Sequence, residues 1–383
     1  DVEGSSLTAR VANTEVALFM NNGELSLIGG EADAVELSSE INGIGDTTLS
    51  DMINVANNIS QENIIISENA QITVNDTASI KASTITVNAD ATLTANAGNI
   101  ITTTDGKIAN EGEITFTGGT NNNIITGDQG KIFIDMNAEV INSTGTKITQ
   151  QFIEVREGGK FTMNADDVET ATDDASGTNV FGIQNNGDLE ITGGTNKNII
   201  GRGDGAVEGN GNVIISGNVI NEEKTTIDQG TITVNDGASL QANASDLTTD
   251  NGIANAGELV FIGSDMVNTS TITGTGNLTI KSNMTSSTTI TQTNIDIVEG
   301  TFTHNAADNG DLPKITATNI SISTSATLIA HSEIVANEQI TNDGKFEINV
   351  LKPTGEADDV TSQNNIIGKG EFKISSTIYT NDG

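Results

Sequence analysis

Apolar and polar residues alternate over short stretches along most of the chain. In "TITVN" (Thr84–Asn88), Ile85 and Val87 fall on one side while Thr84, Thr86 and Asn88 fall on the other. The pairs Ile114 and Phe116, Leu189 and Ile191, Leu278 and Ile280, and Phe372 and Ile374 repeat the pattern. Period two over about five residues, rich in β-branched types, predicts half-buried strands. No long window carries a helical stripe at i, i+3, i+4, so the chain reads as all-β.

The strands belong to a repeat. The phrase "GIANAGELVFIG" from Gly252 has close copies in "KIANEGEITFTG" from Lys107, "GIQNNGDLEITG" from Gly182 and "QITNDGKFEINV" from Gln339. Their shared form is Ile-x-Asn-x-Gly-x-apolar, with a degenerate copy at Phe19–Leu25. A leading module precedes this middle module, as in "ITVNDGASLQANA" from Ile232, and a trailing module follows it, as in "GNLTIKSNMT" from Gly276. The order never changes. The middle module recurs after 75 (183 − 108), 70 (253 − 183) and 87 (340 − 253) residues. A solenoid tolerates such uneven spacing because extra residues loop out between strands that keep their register.

These features predict a right-handed parallel β-helix, an elongated β-solenoid in which each module supplies about one coil. At roughly 20–30 residues per coil the chain makes about 13–19 coils. Asn and Gly are expected at the corners, where both tolerate positive φ, and stacked Asn side chains are expected to form hydrogen-bonded columns. The repeat boundaries fall at 1–57 (a partial N-terminal repeat), 58–146, 147–225, 226–288 and 289–383, all within one continuous solenoid.

Composition sharpens this picture. Aromatic residues make up 3 % of the 383 and Trp is absent, which suits a thin core of Ile, Val, Leu and Ala better than a round one. Sixteen Lys and Arg against 52 Asp and Glu give a formal charge of −36, which argues against a nucleic-acid partner. The absence of Cys excludes disulfides and thiolate chemistry. No apolar run reaches the ~20 residues of a membrane-spanning helix, so membrane insertion by this segment is not expected. The opening "DVEGSS" reads as the start of a mature or excised fragment.

The phrases "NNGDLEITGG", "GTGNLTI" and "TITVNDGASLQANA" resemble the passenger domains of bacterial autotransporters and related large adhesins. The likeness covers most of residues 15–380 and lies in repeat style; it carries no active-site motif. It implies a right-handed β-helix displayed at the outer surface of a Gram-negative bacterium.

Candidate chemistry is sparse. Polysaccharide-active β-helices need clustered carboxylates, and lyases commonly add an Arg or Lys base, yet Arg10, Arg156 and Arg202 lie in different repeats. His304 and His331 sit in separate coils, and His304 occupies a site held by Met163, Ala242 and Ala95 elsewhere, so both read as surface or turn residues. The densest acidic cluster, with Asp166, Asp167, Asp173 and Asp174, is the metal candidate, for adventitious Ca²⁺ at most. "RGD" at Arg202–Asp204 and the sequons at Asn142, Asn243 and Asn283 are short matches expected by chance.

The sequence therefore leads to a non-enzymatic, cofactor-free adhesin-like scaffold, extracellular or on the bacterial cell surface. Its expected partner is a host or neighbouring-cell surface molecule or glycan, or another copy of itself. A subunit of an extracellular filament or surface layer is the alternative, and a polysaccharide-active enzyme the third reading.

Overall fold

The computed structural model describes residues 2–11, 18–171, 182–201, 211–305, 313–349 and 365–374. It is a β-solenoid of about 15 turns, with 62 % of residues in strands and parallel coils throughout. Backbone contacts divide it into one unit formed by residues 1–190 with 198–211 and a second formed by residues 191–197 with 212–383.

In the first unit, parallel pairing links Val35–Leu37, Met52–Val55, Gln71–Val74, Thr92–Ala95, Glu113–Phe116, Lys131–Ile134, Phe152–Val155, Gly182–Asn185 and Ile200–Gly201 in turn. The register places Ile53, Ile72, Leu93, Ile114, Ile132, Ile153, Ile183 and Ile200 in one column, and every one is buried. The second unit builds an equivalent column from Val213, Ile232, Ile253, Ile272, Ile290, Ile315 and Ile334. Each enclosed aliphatic side chain contributes roughly 1.5–3 kcal/mol of transfer free energy. Successive members of the second column are 19, 21, 19, 18, 25 and 19 residues apart, at the short end of the expected coil length, and the 15 or so turns fall within the expected number. Five Phe (116, 161, 261, 302 and 346) are the largest side chains fully enclosed in the interior.

The predicted inward pairs hold except the last. Phe372 and Ile374 are exposed: their strand, Glu371–Ile374, pairs with Lys345–Ile348 on one side, and no described strand covers the other. The leading modules also end in something the period-two pattern hides. In "NAGN", "NADD" and "NASD" the Asn side chain caps a single 3₁₀ turn (Ala97–Asn99, Ala165–Asp167, Ala244–Asp246), accepting from the backbone N–H two residues on.

The glycine of Ile-x-Asn-x-Gly has a different reason from the one expected. Gly112, Gly257 and Gly344 do not have positive φ. A Cβ on Gly257 would stand 2.3 Å from the Ala238 carbonyl oxygen and 2.4 Å from that of Asn235. Gly112 and Gly344 face preceding-coil carbonyls at 2.4 Å and 2.2 Å. The corner is built by close approach of successive backbones, which excludes any side chain.

Candidate functional site

The Asn of the same motif is not at the outer corner either. Asn21, Asn110, Asn185, Asn255 and Asn342 all point into the core and are essentially inaccessible. Among the described non-glycine residues only Asn69 and Asn137 are asparagines with positive φ. A buried amide must find hydrogen bonds in place of water. In Asn21 and Asn185 the Oδ1 accepts from the N–H of the motif glycine, at 3.1 Å and 3.3 Å. The Nδ2 of Asn21, Asn110, Asn255 and Asn342 donates to the backbone oxygen of Asp46, Lys131, Asn277 and Glu371, each opening the next coil's strand.

A second partner comes from two layers on. Asn21 Nδ2 donates to Gln61 Oε1 at 2.6 Å and Asn255 Nδ2 to Gln292 Oε1 at 2.6 Å; Asn110 makes the same bond to Gln150. Between each pair lies a glycine, Gly43, Gly274 or Gly127, on which a Cβ would strike the Asn carbonyl. The glycine leaves the space through which the Gln reaches back. Each Gln then turns its Nε2 to the carbonyl of its own preceding residue. The sequence does carry this signal, as Ile-x-Gln at Ile59, Ile148 and Ile290, but there Gln stands where the period-two pattern calls for an apolar residue.

Another buried polar column runs along a different inner face. Asn121 donates to Asn142 at 2.8 Å and Asn196 to Asn221 at 2.8 Å, the stacked-Asn arrangement anticipated from the sequence. Asn142 also donates to the Thr146 carbonyl, so the first sequon asparagine is buried and fully engaged. Asn243 is buried as the cap of its 3₁₀ turn; Asn283 is exposed and accepts from Thr301 N–H at 2.9 Å. In the third copy of the column, Asn268 bonds to Ser286, and the next layer presents His304.

His304 corrects the surface reading. It is fully enclosed, packed edge-on against Phe302, with Nδ1 against Ser332 Oγ and Nε2 2.8 Å from the Thr288 carbonyl oxygen. Its site is interchangeable with Met163 and Ala242, but interchangeable because it is interior. Burial pushes its pKa below the usual imidazole range. Ser332 and His304 make a serine–histidine pair, yet the third position is a backbone carbonyl and both side chains are closed off from substrate. His331 is half-buried, with Nδ1 2.6 Å from the Asn349 carbonyl oxygen.

The metal candidates separate. Asp167 is buried, ion-paired to Lys147 Nζ at 3.0 Å and accepting from Gly145 N–H at 2.6 Å, while Asp166 is exposed and its backbone oxygen also meets Lys147. Asp173 and Asp174 lie outside the described residues, as does the "RGD" tripeptide. Asp246 repeats the role of Asp167, accepting from Lys224 N–H at 2.8 Å, so the 3₁₀ carboxylate pins a left-handed turn of the preceding coil. Among the described residues no three His, Cys, Asp or Glu converge as a metal site.

No family model, curated protein or solved structure matches the chain. The remaining arginines are spoken for or exposed. Arg156 pairs with Asp135 at 3.0 Å and lies over the Phe133 ring at 4.8 Å, while Arg10 meets Glu31 at 3.9 Å in solvent. An apolar cavity of about 220 Å³ is lined by Leu25, Leu27, Leu37 and Ile41 in the first unit. A polar groove beside Ser321, Ser323 and Thr324 in the second has Asp343 and Lys369 as its charged lining. Neither gathers two carboxylates.

Proposed function

We propose that the chain is a non-enzymatic, adhesin-like β-solenoid, a passenger-type scaffold that works outside the cell or on a bacterial surface. One observation carries this reading. In the second unit the inner column Leu240, Leu259, Leu278, Ile295, Ile320 and Ile340 hardly changes, while the adjacent column runs Gln241, Val260, Thr279, Asp296, Ser321 and Thr341, half-buried at every position except the buried Val260. The wall is held constant from within and left free to vary outside, the division a presenting surface needs. The buried polar groups of the described residues serve the wall itself. The high negative charge keeps such a surface soluble. The partner under this reading is a surface molecule or glycan of another cell.

Purified protein applied to immobilised glycans and to intact cells tests this directly, with polysaccharide turnover measured alongside. Saturable binding without turnover is expected; cleavage of any polysaccharide would replace the scaffold by an enzyme. The filament or surface-layer reading draws on the outward, solvent-exposed Ile220, Ile262 and Val267 of the second unit, apolar side chains suited to lateral contact between copies. Ordered assemblies in electron micrographs of the purified chain would favour it.

A further inference from the structure

His304 differs from every other residue of its column by being titratable. Its position is set by three layers. Ser286 precedes it, Ala330 follows it, and the turn after Ala330 swings Ser332 against its ring. Both nitrogens have fixed partners. The Thr288 carbonyl can only accept, so Nε2 carries the proton and Nδ1 accepts from the Ser332 hydroxyl. That arrangement uses the neutral ring completely.

We propose that His304 makes this coil acid-labile: a proton entering the enclosed imidazole breaks the hold of the strand Ile290–His304 on the turn at Ser332. A protonated ring has two N–H donors, so Ser332 must reverse its hydroxyl, and the charge lies against Phe302 and Ala330. Among the described residues no carboxylate is bonded to the ring. The preceding coil offers Ser286 and Thr288, and the following coil offers Ala330. The adjoining turn carries His331, engaged with Asn349, and half-buried Glu333; neither is bonded to the ring. On its own strand Asp296 has its partner effects with Glu258, and Glu299 is exposed. Glu347, two layers on, is held by Lys345 and Lys373.

The sign follows from burial. A histidine whose folded pKa is depressed gives its full stabilisation above the unfolded value of about 6.5. That stabilisation is lost as pH falls below this value toward the folded pKa. Through that window the opening equilibrium rises by up to about tenfold per pH unit, the limit for one proton. The equivalent coil containing Met163 has no such response.

Hydrogen exchange read by mass spectrometry tests this on the full chain, after correction for the intrinsic pH dependence of exchange. The informative amides are Asn305 and His331, which bond to Ser286 and His304 oxygens. In the wild type their opening is expected to increase from about pH 7 to pH 5 by up to about thirtyfold, since only the roughly 1.5 units below the unfolded pKa of about 6.5 contribute, and in His304→Met to stay flat while remaining protected. Unchanged opening in the wild type, or the same pH response in His304→Met, would overturn the proposal. Should the variant fail to fold, imidazole ¹⁵N shifts of the wild type decide instead. A neutral Nε2–H ring persisting well below pH ~6.5 supports it, and an ordinary titration near that value overturns it.

Discussion

Residues 107–155 and residues 290–342 build the same kind of wall in opposite ways. In the first stretch the strands are short and the corner between Ile108 and Ile114 is turned by Asn110 and Gly112, with the Asn amide inside. In the second, strands run through the corners: Ile290–His304, Lys314–Ala330 and Glu333–Asn342 are continuous, with register shifts between Ile297 and Glu299 and between Ala317 and Asn319. There Asn294 and Asn319 stand outside, while Asn342 stays in the core. Asn294 donates to Asn277 at 2.8 Å and Asn319 to Asn294 at 3.2 Å, a ladder on the solvent face. One residue type thus supports either side of the wall. A buried amide depends on protein partners, and Asn110 finds them for its Nδ2 but not for its Oδ1; an exposed one only adds to what water already offers.

The sharpest way to break this comparison is at the corners. Gly112→Val drives a side chain into two carbonyls, and a loss of about 3 kcal/mol or more in denaturant unfolding is expected. Thr293→Val, at a corner of the continuous strands, should cost less than about 1 kcal/mol. Equal effects would mean that the two corners are not built differently. Next comes the interior amide. Gln150→Leu leaves Asn110 without its second acceptor and should cost about 1–3 kcal/mol. Adding Asn110→Val, which continues the column from Val87, should recover part of that loss, and strict additivity in the double-mutant cycle would refute the coupling.

The outer ladder predicts less. Asn294→Ala removes one exposed and one part-buried bond, and a change of about 0.5–1 kcal/mol is expected. Smallest is Asp296→Asn. Burial first, and Glu258 second, hold the Asp296 carboxyl above its usual range. Its charge therefore costs stability at neutral pH. The Asn variant should unfold at slightly higher denaturant there, and the gain should shrink as pH falls through the raised folded pKa and vanish below the ordinary aspartate range, where neither folded nor unfolded wild type carries the charge. A gain that persists in acid would show that packing, and not charge, is responsible.

The period-two alternation made the strands legible, and the recurring modules made their stacking legible, because Ile over Ile requires the same register in every layer. The interior polar residues were harder to read. Asn110 and Gln150 break the apolar pattern forty residues apart, and only the intervening glycine explains how they meet. Alternation puts His304 on the side of Phe302, and its inward place was hidden only because an imidazole suits either side. Asp167 looked like part of an acidic cluster because Lys147, which neutralises it, is distant in sequence and adjacent only after one full coil.

The reach of each glutamine back across an intervening layer has a consequence for how such a protein grows. A recombination event that copied or deleted one layer alone would strand an amide in oil at both seams. The smallest segment that carries its own Asn, Gly and Gln spans three layers, and each of the three pairs bridges one of the repeat boundaries, so those seams between repeats are stitched from within.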